Sequence, residues 1–251
     1  MVCQQLFYNL PDFFKYYIMI IGENMKILAT DFDNTLYVKD ENIFFKNIEM
    51  LRKFISNNKV CIITGRSYPN IMEEINKYQI PYTYLICQDG AKIFLNTGEC
   101  INTIALPTEE LVKVVKILDT NHINFNYDNG YEESDNPEKC VKITIKYQDY
   151  SKAKELVDII KQNTTTNCYL SKEHINITAV DANKKNALYY LLNKFNLNKE
   201  ALYVIGDDIN DYEMIKTFSG AIMKNHHINL DNLSKEEFTN LYEYIEKLMQ
   251  N

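Results

Sequence analysis

Two textures of apolar and polar positions alternate along this chain. From residue 26 a mostly apolar run, KILATDF (26–32), predicts a buried strand, and the helical spacing of Ile43, Phe44, Ile48, Leu51 and Ile55 predicts a helix over 43–58. The pattern repeats. KVCIIT (59–64) reads as a strand, YPNIMEEINKY (68–78) as a helix opened by Ser67 and Pro69, and YTYLIC (82–87) as a third buried strand. Short strands with no polar face, alternating with helices, must be covered on both sides, so the fold class is α/β, with a doubly wound, Rossmann-like parallel sheet.

From about residue 88 the texture changes. AKIFLN-TGE-CINTIAL (91–106) predicts a hairpin, PTEELVKVVKILDT (107–120) and SKAKELVDIIKQN (151–163) predict helices, and CVKITIKYQ (140–148) and HINITAV (174–180) predict strands. The clean alternation of CVKITIKYQ implies an α+β layer with one polar face, read as a domain over 88–175 inserted into the first. The α/β pattern then resumes with a helix over 184–196, a strand over 201–205, a helix reaching Phe218 and a strand over 220–224. A last helix is expected over 234–250, with Ser234 and Glu237 as its capping box. The core domain is therefore expected over 25–87 plus 176–251. Residues 1–24 are set apart as an extension that is not part of the native fold, because Met25 opens a strand directly. Their uninterrupted apolar part, YYIMII, is much shorter than the roughly 18 residues of a membrane span. The segment also lacks the basic start and small-residue cleavage site of a signal peptide. Anchoring at a membrane surface is the less favoured alternative.

Composition narrows the function classes. The 251 residues are 46% hydrophobic and 24% charged, with a net charge of −7. Scattered lysines and an acidic balance oppose binding to a phosphate backbone, so no nucleic-acid partner is expected, and no membrane partner either. The six cysteines form no C-x-x-C pair and no zinc-spaced cluster. Cys61 and Cys87 sit in apolar runs, which suits small buried side chains in a reducing cytoplasm.

The candidate chemistry lies where strands end. Asp31 and Asp33 are separated by one residue, and two like charges at close range need a cation or a proton between them. A calcium loop of the EF-hand type would want Gly and Glu where Leu36 and Asn42 stand. Thr64-Gly65-Arg66 follows the second strand, and Asp89-Gly90 the third. Lys184 and Lys185 open a helix, although cations disfavour a helix N-terminus unless an anion is near. GDDIND (206–211) places Asp207, Asp208 and Asp211 within five residues, and a metal is the simplest neutraliser. The carboxyl ends of strands in an open α/β sheet are where ligands bind.

Taken in order, DFDNTL, ITGR, Lys184 in K-x-x-A-L, and GDDIND resemble the four motifs of the haloacid-dehalogenase-like hydrolases. Within them the chain is similar to the Cof-type phosphatases, whose large cap is inserted between the second and third motifs. QDGAKIF and GAIMKN further resemble the family's entry to the cap and its strand after the fourth motif. The resemblance implies a Mg²⁺-dependent phosphatase acting on a small phosphorylated metabolite, a sugar phosphate first among the candidates, through an aspartyl-phosphate. Asp31 would be the nucleophile and Asp33 the general acid and base, both steadied by Phe32 pointing into the core. Mg²⁺ would be held by Asp31, the main-chain carbonyl of Asp33 and Asp207, with Asp211 and Asp208 as weaker support. Thr64, Gly65, Lys184 and Asn210 would bind the phosphate oxygens. Arg66 would reach the substrate, hold the cap, or form a surface ion pair, and the polar loop 124–134 is a candidate for substrate contact. Alternatives are a phosphosugar mutase of the same superfamily and a phosphate-binding regulatory protein without turnover. The chain departs from the commonest pattern at Asn34 and Lys185, where Gly is usual, and at Asp89, where Asn is usual.

Overall fold

Every residue of the first strand, Ile27–Asp31 (β1), is buried, as expected for the centre of a sheet covered on both faces. In the computed structural model, which describes residues 25–134, 137–171 and 173–250, β1 lies in an eight-stranded sheet. Its neighbours are Lys59–Ile63 (β2), Tyr84–Cys87 (β3), Lys92–Leu95 (β4) and Cys100–Thr103 (β5) on one side. On the other lie Leu202–Gly206 (β11), Ala221–Met223 (β12) and Glu237–Phe238 (β13). Pairing is parallel from β13 through β3 and antiparallel for β4 and β5. Residues 1–24, expected as a non-native extension, lie outside the described residues.

Helices cover both faces because the strands are apolar on both. Leu28 and Ile62 point to one side, where they pack on Glu41–Ile55 (α1), Tyr68–Tyr78 (α2) and Leu241–Gln250 (α7). Ile27, Ala29 and Ile63 point to the other, against Lys184–Lys194 (α5) and Tyr212–Phe218 (α6). α1 starts two residues before the expected 43 because Asp40 caps it, accepting the Asn42 and Ile43 N–H groups.

A second sheet, antiparallel, is built from Asn126–Asp128 (β6), Glu133–Ser134 (β7), Lys142–Lys146 (β8), Asn167–Leu170 (β9) and His174–Thr178 (β10) in the order β7-β6-β8-β10-β9. Thr108–Thr120 (α3) and Tyr150–Asn163 (α4) pack on its apolar face through Val114, Leu118, Leu156 and Ile160. Ile143, Ile145, Ile175 and Ile177 are buried beneath them, which leaves the alternate residues Thr144 and Asn176 for the opposite face.

Three expectations are corrected. The hairpin β4–β5, expected within an inserted domain that starts at 88, extends the core sheet from β3 instead. Its Ile93 and Phe94 are buried in the core's two clusters, so the edge of β3 is paired rather than left open. At the other end, β10 runs through residues 176–178 within the second sheet, so the core resumes after it. The capping box at Ser234 and Glu237 does not form, because Glu237 is in β13, and Glu243 instead accepts the N–H groups of Thr239 and Asn240 beside the start of α7.

Candidate active site

The floor of the site is assembled from β1, β11 and the first residue of α5. Lys184 is 1% exposed, and its ammonium stands 2.5 Å from Asp31 Oδ1 and 2.7 Å from Asp211 Oδ1. This accounts for a lysine at a helix start: its charge is matched by two buried carboxylates. Lys185 turns away towards Glu213 at 3.8 Å. The second oxygen of Asp211 accepts the N–H groups of Asp207 and Asp208, both at 3.0 Å, and a Cβ on Gly206 would collide with the Asp211 carboxyl. Asp207, also buried, accepts from the Thr35 hydroxyl at 3.2 Å.

One oxygen each from Asp31, Asp207 and Asp211 lies within 4.8 Å of the others. Three carboxylates face one ammonium, and the imbalance shows in the titration behaviour. Burial pushes the Asp31 carboxyl well above its usual range, against the pull of Lys184 and with the help of Asp211 and Asp207. Lys184 is held protonated despite its burial, because Asp211 and Asp31 flank it. An all-oxygen, net-negative donor set of this kind fits a hard divalent cation.

Asp33 stands at the rim of the floor. Arg66 grips it with two hydrogen bonds, Nη2 to Oδ1 at 2.6 Å and Nε to Oδ2 at 3.0 Å, and its guanidinium lies 4.9 Å from the ring of buried Phe32. The ion pair expected of Arg66 is formed, with the candidate site residue Asp33 and, at 3.7 Å, with Glu74. Asn34 takes φ +65°, a left-handed turn that Asn tolerates better than most residues, which is how the chain manages without glycine there. The turn closes with Asn34 donating to the Tyr37 carbonyl and Tyr37 to that of Phe32. The Thr64 hydroxyl accepts the Arg66 N–H at 3.1 Å, and Gly65 is packed so closely on Asp89 that an added Cβ would lie 3.0 Å from its Oδ1.

Above the floor a cleft of about 750 Å³ opens towards the polar face of the second sheet. Thr144, Tyr169, Ser171, His174 and Asn176 line it from above. The 124–134 loop reaches the cleft through Asp128, Tyr131, Glu132 and Glu133. Asp128 accepts from Gln88 at 2.6 Å, and the Lys92 ammonium sits 3.9 Å from the Tyr131 ring centroid, so this loop is seated on the core.

Asn210, expected beside the phosphate, donates its amide to Asp89 Oδ1 at 2.9 Å. Asp89 Oδ2 accepts from Lys142 at 2.7 Å, and the Tyr169 hydroxyl beside it also favours the charged carboxylate. Burial alone would raise the Asp89 carboxyl, but Lys142, Lys184 and these hydrogen bonds outweigh it and hold it at about 2. Neither Lys142 nor Tyr169 is marked as a site residue by the sequence. The signal available for Lys142 is its position on the polar side of the alternating strand; for Tyr169 there is none.

The family model for the haloacid dehalogenase-like hydrolases matches residues 28–135 and 126–243. A protein of Mycoplasma capricolum is 25% identical, over 87% of this chain and 98% of its own length. The 5-amino-6-(5-phospho-D-ribitylamino)uracil phosphatase of Bacillus subtilis is 22% identical, over 77% of this chain and 81% of that one. Among solved structures, a HAD/COF-like hydrolase from Plasmodium vivax superposes with a TM-score of 0.78 at 20% identity, covering 92% of this chain and 99% of that one. The order of the four motifs, the Asp31–Lys184–Asp211 floor beneath a second sheet, and the span of the family match agree: this chain belongs to the haloacid dehalogenase-like hydrolases.

Proposed function

We propose that the chain hydrolyses the phosphate monoester of a small polyhydroxylated metabolite, a sugar phosphate foremost, through an aspartyl-phosphate on Asp31. The observation that carries this reading is the placement of the Asp31 carboxylate at the buried floor of the cleft, between Lys184 and Asp207, with Asp33 on the same turn facing the same space. Asp31 attacks phosphorus, the P–O bond to the alcohol breaks, and Asp33 delivers the proton that the leaving oxygen needs. Asp33 then takes a proton from the water that cleaves the acyl phosphate. Arg66 keeps one hydrogen bond to Asp33 while the acid carries its proton, and grips both oxygens once that proton has passed to the leaving group.

Asp31 and Asp207 would hold Mg²⁺ together with the main-chain carbonyl of Asp33. Bound there, it offsets the negative charge that Asp31 and the phosphate bring together. Asp211 is assigned a supporting part, since Lys184 and two backbone N–H groups already occupy its oxygens. Lys184, Thr64 and the Gly65 amide receive the phosphate oxygens. Asn210 joins them only by exchanging its bond to Asp89.

The second sheet acts as a lid whose face on the cleft carries the neutral Thr144, Ser171 and Asn176, which suit hydroxyl groups, beside the charged Asp128, Lys142 and Glu173. The ribityl phosphate named in the substrate of the Bacillus relative is a polyol phosphate of this type. A net charge of −7 and five free cysteines among the described residues suit a small-metabolite enzyme of the cytoplasm.

Phosphate release from a panel of sugar and polyol phosphates, with Mg²⁺ and with chelator, tests the reading. The native chain turns over with Mg²⁺ only, and Asp31→Asn does not. Turnover that survives either change would overturn it.

A further inference from the structure

Asp89, in the joint between the two sheets, bonds through its carboxylate to both sides of the cleft at once. The residue is 1% exposed, and its carboxylate bonds to two side chains. Lys142 of β8 donates to Oδ2 at 2.7 Å and Asn210 of the 206–211 segment donates to Oδ1 at 2.9 Å, while the Tyr169 hydroxyl of β9 lies beside the same carboxylate and favours its charged form. The Lys142 ammonium, itself on a residue only 5% exposed, makes a second bond to the Gly65 carbonyl at 3.1 Å. The backbone is bent to allow this. Asp89 takes φ +57° and Gly90 φ +110°, and a Cβ on Gly90 would collide with the Asn183 backbone.

We propose that Asp89 is a positioning residue that couples seating of the lid to assembly of the phosphate cradle, with Lys142 as its partner from the lid. The proposal rests on the phosphatase reading above. It follows from what happens when the lid lifts. Lys142 and Tyr169 leave together, Asp89 keeps only Asn210, and Gly65 loses the cation on its carbonyl. A buried carboxylate stripped of its cation is strongly disfavoured until water reaches it, so the lid and the 64–66 loop settle together. Asp rather than Asn matters here because both oxygens are used as acceptors; an amide offers one acceptor and opposes a donor to Lys142 or Asn210.

The test is hydrogen exchange, read by mass spectrometry, on the native chain, Asp89→Asn, Lys142→Met and the double variant, beside kcat/KM for a hexose 6-phosphate. Each single variant is expected to speed exchange in both β8–β9 and the 64–66 segment, and to lower kcat/KM on the order of 10-fold to 100-fold, as small misplacements of a catalytic cradle do. The double variant should match the singles, since one interaction is removed either way. Loosening confined to β8–β9, with exchange at 64–66 and kcat/KM unchanged, or additive losses in the double variant, would overturn the coupling. Should Asp89→Asn fail to fold, Lys142→Met alone carries the same comparison. Should the native chain release no phosphate, the phosphatase reading fails while the exchange data still decide the coupling.

Discussion

The floor and the roof of the cleft are made of different materials. Below, Asp31, Asp207, Asp211 and Lys184 are ionisable and buried, with Lys184 bridging Asp31 and Asp211 and the Asp207 N–H donating to Asp211. Above, the neutral Thr144, Ser171 and Asn176 line the cleft beside the charged Asp128, Lys142 and Glu173. The contrast separates two demands. Charge stabilisation at phosphorus needs groups fixed in a low-dielectric setting before the substrate arrives. Recognition of an alcohol needs hydrogen-bonding groups that water can occupy in the meantime. Asp33 and Arg66 belong to neither class, being charged but half exposed at the seam between floor and roof.

Breaking the floor should have the largest effect. Asp31→Asn is expected to lower kcat by about 10⁴-fold or more, because removing a covalent nucleophile leaves only binding and electrostatic assistance; stopped phosphate-release assays measure it. Lys184→Met leaves Asp31 and Asp211 buried without their cation. It should cost about 3–5 kcal/mol in urea unfolding as well as most of the activity. At the seam, Arg66→Met frees Asp33 from its bidentate hold and should lower kcat on the order of 10²-fold with little change in stability, a split that steady-state kinetics and melting together resolve.

Acid stability offers a smaller, signed test. The folded-state value of Asp89, about 2, lies below its ordinary value of 3.8. Its contribution is therefore complete above about pH 4 and is lost as pH falls towards 2. Over that window the native chain should lose about 2 kcal/mol more stability than Asp89→Asn, measured by urea unfolding at each pH. The roof should respond most gently. Asn176→Ala is expected to raise KM for a sugar phosphate by a few-fold at nearly constant kcat, the sign of contact made equally in ground and transition states.

The parts of this molecule that are legible in the sequence are those written in contiguous residues. The DFDNTL and GDDIND segments each carry several charges on one loop, and such density at a strand end has few structural explanations. The apolar runs of β1, β2 and β3 mark the parallel core equally well, because full burial leaves no polar face to confuse the pattern. What stays hidden depends on pairing over distance. Arg66 meets Asp33 across 33 residues, and Lys142 meets Asp89 across 53. The β4–β5 hairpin has the local pattern of any hairpin, and only its pairing to β3 makes it part of the core. Ser234 and Glu237 satisfy a capping template locally, but pairing of β13 with β12 overrides it. Strands β6 and β7 are too short to show a period at all.

The central claim is that Asp31 carries the phosphoryl group. Borohydride quenching of the native enzyme during turnover of a sugar phosphate, followed by peptide mass spectrometry, reads this directly, since reduction of an aspartyl-phosphate yields homoserine. The account predicts homoserine at position 31, absent without substrate. Steady turnover with unmodified Asp31, or with the modification at another carboxylate, would contradict it.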